Sequence, residues 1–175
     1  MDVERRSAGP EVEVRRITEA DIVRNETVLS DLLADNFESN MPFVENPVQL
    51  AGTEYDRMLG YQRDGSAILI GAFDEMDIVG FVWAYRREVL GQPRLHVGHI
   101  VVDSRTRSRG VGAALLKALE EMARAEGIPR LELMASVDNE RTIRFYESNG
   151  FATVRVQLEK EMEGAASQRP NGSNA

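Results

Sequence analysis

The chain of 175 residues contains no cysteine. That excludes disulfide frameworks, thiolate zinc sites and a cysteine nucleophile. Histidine is almost as scarce, with only His96 and His99, so no histidine-built metal site is expected. No apolar run approaches the roughly 18 residues of a membrane span. The opening "MDVERRSAGP" has no signal-peptide apolar region, so the expectation is a cytoplasmic protein with no membrane partner. Positive charge is in deficit as well: 21 lysines and arginines face 29 acidic residues, a net charge of −8. A general nucleic-acid binder needs a basic face, so nucleic acid is not expected as a partner. Cationic small molecules and basic peptides are attracted instead.

What is present reads as one globular domain. The hydrophobic fraction of 42% and charged fraction of 29% suit a chain that buries a sizeable core. Residues 1–10 and 163–175 lack periodicity and are expected to be disordered tails around a single domain, 11–162. "VEVRRI" (12–17) alternates as a strand. Thr18 and Asp21 have capping-box spacing, and Ile22, Leu29, Leu32, Leu33 and Phe37 give the next helix an apolar stripe. Residues 38–52, with two prolines, read as a long loop, followed by a short helix over Glu54–Gln62.

"AILIGAF" (67–73) and "IVGFVWAY" (78–85) flank turn residues and predict a β-hairpin. After a Gly-Gln-Pro turn, a strand is expected at 95–102, then a helix over 110–126 that Gly127 and Pro129 terminate. A strand at 131–137, a helix from Asn139 to Ser148 and a last strand from Phe151 to Leu158 complete the pattern. Strand, helix and strand from 95 to 137 form a βαβ unit with parallel strands, whereas the preceding hairpin is antiparallel. The fold class is therefore α/β (α+β) with a mixed sheet.

One stretch gathers the positive charge that the chain otherwise lacks. "VVDSRTRSRGVGAALL" (101–116) places Arg105, Arg107 and Arg109 beside Gly110 and Gly112, just after a strand and at the start of a helix. A helix N-terminus offers unpaired N–H groups and about half a positive charge. Glycines let an anion approach those amides, so the stretch describes a phosphate cradle. Turn and packing glycines beside solvated arginines are the alternative. It is no Walker loop, and Leu115 stands where a dinucleotide fingerprint has its third glycine.

The segment Arg107-Ser108-Arg109-Gly110-Val111-Gly112 resembles the Arg/Gln-x-x-Gly-x-Gly/Ala motif of the GCN5-related N-acetyltransferases. "NERTIRFYESNGF" (139–151) resembles a second motif of that family, Asn-x-x-Ala-x-x-x-Tyr-x-x-x-Gly-Phe, with Thr142 in the alanine position. The resemblance implies an acyl-CoA N-acyltransferase fold in which parallel strands 95–102 and 131–137 splay apart. It implies acetyl-CoA as cosubstrate and no metal. The pyrophosphate would rest on Arg107 and on the amides of Arg109, Gly110, Val111, Gly112 and Ala113. Ile100, Val101 and Val102 would meet the pantetheine arm and acetyl group by main chain, and Asn139 would meet the arm from the other side. Tyr146 falls where the family has its general acid toward the leaving thiolate.

The base is less well marked. Many relatives carry a glutamate where this chain has Met134. His99, on the strand facing the acetyl group, is the next choice, since imidazole titrates near neutrality. Glu132 is weaker, because Leu131 and Leu133 turn it to the opposite face. Phe37, Met41, Phe43, Trp83 and Tyr85 are candidates for an acceptor pocket, and Glu38, Glu45 and Glu54 for neutralising a cationic substrate. The implied reaction is acetyl transfer to a primary amine, on a small molecule in preference to a peptide. A silent coenzyme-binding sensor or scaffold, or a protein acetyltransferase, stays open. The short run after Phe151 leaves room for one strand, not a hairpin; the terminal strand is then missing, shortened or supplied by a second subunit, and a homodimer is the expectation.

Overall fold

Thr18 starts the first helix as its spacing to Asp21 predicts. Its hydroxyl accepts from the Asp21 amide at 3.2 Å, and the Asp21 carboxylate accepts from the Thr18 amide at 3.1 Å. The computed structural model describes residues 12–160 apart from Pro42 and Ser108, so both expected tails, 1–10 and 163–175, lie outside the described residues. Helix α1 (Glu19–Arg24) breaks at Asn25, and α2 (Glu26–Asn40) carries the apolar stripe onward. Ile22, Leu29, Leu32, Leu33 and Phe37 are all buried.

The loop expected over 38–52 is much shorter. Helix α3 (Pro47–Arg63) begins about two turns before the predicted Glu54. The Asn46 side chain accepts from the Gln49 amide at 3.0 Å. Pro47 occupies the first turn, where a missing N–H costs nothing, so a proline read as loop is the helix's starter.

Strands β1 (Glu13–Arg16), β2 (Ala67–Asp74), β3 (Asp77–Val89), β4 (Gln92–Val102) and β5 (Leu131–Glu132) form one sheet in chain order. All neighbours are antiparallel except β4 and β5, which are parallel; the sheet is mixed, as expected. The β3–β4 hairpin turns at Leu90 and Gly91, with φ of 54° and 73°. Two consecutive positive φ values match the right-handed strand twist. Gln92 and Pro93, expected in the turn, therefore belong to β4. Helices α1 to α3 cover one face over Leu69, Phe73, Phe81, Trp83 and Val101. Helix α4 (Val111–Ala125) covers the other over Ile70, Val82, Leu95 and Val97.

Two expected strands are corrected. The strand read over 131–137 pairs only at Leu131 and Glu132, opposite Leu95 and His96. Beyond that point β4 continues while residues 133–137 leave the sheet. After α5 (Glu140–Ser148), the strand read over Phe151–Leu158 does not form, and Val154, Val156 and Leu158 are exposed. A strand needs a ladder to join, and the segment that follows β5 offers none.

The β3–β4 ladder carries a bulge. Trp83 opposes His99, but Ala84 opposes Val97, which leaves Gly98 without a partner. A Cβ at Gly98 would lie 2.5 Å from Cε3 and Cζ3 of Trp83, so the ring lies flat on the bare backbone. Trp83 is 1% exposed. Gly98→Ala is expected to cost roughly 1–3 kcal/mol through overpacking. Thermal denaturation checks this: an unchanged Tm would mean that the ring yields freely.

Candidate active site

The loop after β4 disposes of its arginines one by one. Arg105 binds Asp103 through Nη2 at 2.6 Å and through Nε at 3.1 Å. Those hydrogen bonds hold the Asp103 carboxyl below the usual carboxylate range. Arg107 donates through Nε to the Val102 carbonyl at 3.2 Å and ties the loop to the strand end. Arg109 is exposed beside the helix start.

Gly110 is the N-cap of α4, with φ of 77°, a left-handed conformation that strains any side chain. No side-chain cap reaches the helix among the described residues. The first intrahelical bond runs from the Ala114 amide to the Gly110 carbonyl, leaving the amides of Val111, Gly112 and Ala113 outside the ladder. Gly112 has a packing role as well. A Cβ there would meet Phe145 Cζ at 3.1 Å, so its bareness lets α5 close on α4.

Upstream, among the described residues, β4 has no strand partner along one edge beyond Leu95 and His96. The Leu95 amide donates to Arg130 on the β5 side, at 2.9 Å, and the Asp103 amide donates to Val79 on β3, also at 2.9 Å. Successive amides alternate between edges. The bulge at Gly98 shifts that alternation by one, so the amides of Ile100 and Val102 face the open edge and the Val101 amide faces β3. Side chains shift with them. Ile100 and Val102 pack on the α4 side, and Val101 is buried beneath α1 to α3.

The same shift aims His99 at the α3 face. Its Nε2 lies 3.1 Å from Oε2 of Glu54, on α3. Its ring stacks on Trp83 with centroids 5.7 Å apart and meets Phe37 edge-on at 5.4 Å. Both partners are mostly sheltered, with side-chain exposures of 12% for His99 and 14% for Glu54. The hydrogen bond from His99, helped by the charge of Arg57, holds the Glu54 carboxyl below its usual range against the opposing effect of burial. Arg57 Nη1 sits 3.3 Å from the other Glu54 oxygen. The sequence offered His99 and Glu54 separately; nothing across their separation of 45 residues announces a pair.

Tyr146 lies on α5 among Phe145 and Phe151, with ring centroids at 5.3 and 5.4 Å. Burial pushes its phenol up to about 12. Asn139 is engaged at both ends of its amide. Its Oδ1 caps α5 by accepting from the Thr142 amide at 3.1 Å, and its Nδ2 donates to Asn40 at the end of α2, at 3.3 Å. That link between α2 and α5 had no signature in the sequence.

Glu132 turns away from Leu131 and Leu133, as their pattern predicts, but it is occupied. Arg87 Nε lies at 2.7 Å, Arg94 Nη1 at 3.4 Å and His96 Nδ1 at 3.5 Å. Burial, reinforced by the charge of Arg87, lowers the His96 pKa against the opposing pull of Glu132. Of the acceptor candidates, Phe37 and Trp83 are buried under the helices, Met41 and Tyr85 are partly buried, and Phe43 is exposed. Met134 is 72% exposed on the segment that has left the sheet. No helix among the described residues is long and apolar enough to cross a membrane.

The comparisons with known proteins meet this geometry. The acetyltransferase (GNAT) family model matches residues 29–151. A mycothiol acetyltransferase of Propionibacterium freudenreichii subsp. shermanii is 33% identical over 133 residues, covering 74% of this chain and 42% of that protein. The chain thus spans about two-fifths of that relative's length. Among solved structures, an aminoglycoside acetyltransferase from an uncultured soil metagenomic sample superposes with a TM-score of 0.67 at 18% identity, over 87% of this chain and 97% of its own. A ribosomal-protein-alanine N-acetyltransferase from Brucella melitensis gives a TM-score of 0.64 at 21% identity, over 87% of this chain and 99% of its own. At those identities the likeness is one of fold. The matched span takes in the open β4 edge, the uncapped α4 start and the Glu54–His99 pair, and the chain belongs to the acetyltransferase (GNAT) family.

Proposed function

We propose that this chain is an acetyl-CoA-dependent N-acetyltransferase in which the primary amine of a small molecule attacks the thioester directly. The observation that carries this reading is the Glu54–His99 pair, which presents an imidazole on β4 beside the stretch where that strand loses its β5 partner. The mycothiol named in the 33%-identical relative is a small molecule, which favours a small acceptor over a protein.

The diphosphate of the coenzyme suits the free amides from Val111 to Ala113 with Arg109 at the mouth; Arg107 shapes the loop beneath it. The pantetheine arm suits the unpaired edge of β4, where Ile100 and Val102 present their amides. Val102 is a better oxyanion donor than Val101, because the Val101 amide is turned to β3. A donor of that kind contributes on the order of 3 kcal/mol to a developing oxyanion.

Acetyl transfer forms a bond from the amine nitrogen to the acetyl carbon and breaks the carbon–sulfur bond. His99 takes the proton that the acceptor ammonium must lose, and Glu54 holds the ring and balances its charge. The departing thiolate takes a proton from Tyr146. A phenol held near 12 keeps that proton at neutral pH. Asn139 keeps α5, and with it Tyr146, in register with α2.

Two outcomes test these roles by thiol release from acetyl-CoA with a panel of primary amines. Tyr146→Phe is expected to lower kcat by about 100-fold or more while the KM for acetyl-CoA stays put. Because burial holds the phenol near 12, the wild-type rate should show no alkaline limb from this group below about pH 10. Loss of coenzyme affinity in Tyr146→Phe would instead make the residue a packing element. His99→Gln is expected to lower kcat/KM for the amine by about 100-fold or more while the KM for acetyl-CoA stays put. An unchanged kcat/KM removes His99 as the base. Coenzyme binding without turnover on any amine would favour a sensor.

A further inference from the structure

The acceptor face of the site contains an aromatic bowl whose occupant belongs to the chain itself. Trp83 and Tyr85 share one face of β3, and Tyr61 descends from α3. The ring centroids are 5.0 Å apart for Tyr61 and Tyr85, 5.2 Å for Trp83 and Tyr85, and 5.8 Å for Tyr61 and Trp83. Over them sits the Arg57 guanidinium carbon, 5.8 Å from the Trp83 and Tyr85 centroids and 5.9 Å from that of Tyr61. The four groups stand at the corners of a nearly regular tetrahedron, a cation equidistant from three rings. The carboxylate beside that cation is Glu54, whose second oxygen holds His99.

Arg57 sits at the rim of this place, held by Glu54 and by a side-chain hydrogen bond with Tyr61. Its side chain is 46% exposed, and its hydrogen bond to Glu54 is long, at 3.3 Å. All three ring distances lie near the outer limit of about 6 Å for a cation over an aromatic face. Elsewhere in this molecule a guanidinium does stack closely: Arg15 lies 3.9 Å above Phe73. A broad planar guanidinium on a long stem perches at the rim of the bowl. A compact ammonium can enter further, gain more from each ring and still face Glu54.

We infer that the bowl formed by Tyr61, Trp83 and Tyr85 is the acceptor's ammonium subsite, and that Arg57 is an internal placeholder which a substrate cation displaces. The ligand class is a compact organic cation, from primary to quaternary ammonium. This rests on the amine-acetyltransferase reading and deepens it, because the displaced guanidinium hands its Glu54 oxygen to the incoming ammonium beside His99.

Trp83 is the only tryptophan in the chain, so its emission reports on the bowl. Tetramethylammonium chloride is titrated into the full chain against sodium chloride at matched ionic strength, with no coenzyme present. Arg57→Ala and Arg57→Gln are expected to show saturable changes in Trp83 emission at concentrations at least tenfold lower than wild type requires. Tyr85→Leu in the Arg57→Ala background is expected to abolish saturation while the emission maximum stays that of a buried indole. Binding no tighter in either Arg57 variant than in wild type, or the same response to sodium, overturns the inference. Failure here with amine-dependent thiol release intact removes the subsite and leaves the acetyltransferase reading standing. Tight ammonium binding without thiol release does the reverse.

Discussion

At Gly98 the β3–β4 ladder carries one residue more on β4 than on β3, and the site on both sides of the strand depends on that surplus. Before the bulge, Leu95 and Val97 point to α4 while His96 points to α3. After it, Ile100 and Val102 point to α4, while His99 and Val101 point to α3. Without the extra residue His99 would face the α4 core, and Glu54 would lose one of its two hydrogen-bond partners, keeping only Arg57. The amides follow the same shift, so one insertion aims an imidazole at one face and two amides at the edge that β5 leaves. Bulges re-aim side chains next to active sites for this reason. Trp83 fixes the bulge by lying against Gly98, and that packing leaves no room for another residue type there.

The site's two ends differ in sign, and each is built economically. The loop's positive charge is mostly internal: Arg105 answers Asp103, and Arg107 answers a carbonyl. What remains for an anion is backbone, the uncapped turn of α4 with Arg109 beside it. Backbone donors held by a helix need no reorganisation and lose no side-chain entropy when they bind. The opposite end concentrates a carboxylate, an imidazole and aromatic faces, which favour cations. An overall charge of −8 adds long-range attraction for cationic acceptors.

The sequence made the local features legible and hid the non-local ones. The Thr18–Asp21 box, the hairpin of β2 and β3, and the helix that starts at Gly110 and stops before Gly127 all depend on neighbours within one or two turns, and all appear as expected. Pro47 misled because a proline marks a loop or a helix start equally well; Asn46 before it was the deciding signal. The strand over 131–137 has the right composition along its length, yet pairing stops at Glu132, where residues 133–137 leave the sheet while β4 continues along β3. Residues 151–158 show the same limit, since alternation states a preference that only a neighbouring strand can satisfy. Gly112 was read for anion access, whereas its closest neighbour is Phe145. The Glu54–His99 pair could not be read at all, because it joins α3 to β4 across the core.

The departure at Met134 now has a physical context. That residue lies on the segment that leaves the ladder, and it is largely exposed. A carboxylate there would be held by coil alone. Glu54 instead projects from the second turn of a helix packed on the sheet, and His99 from a strand paired along its β3 edge, so both are fixed by rigid elements. Such placement carries a desolvation cost, since a sheltered carboxylate loses hydration. His99 and Arg57 offset that cost together, one on each oxygen. If an acceptor ammonium replaces Arg57, the carboxylate keeps a cation throughout, and the exchange leaves the charge of the pocket unchanged. A cation exchanged for another strands no buried charge, and the imidazole beside Glu54 keeps its hydrogen bond to the second oxygen.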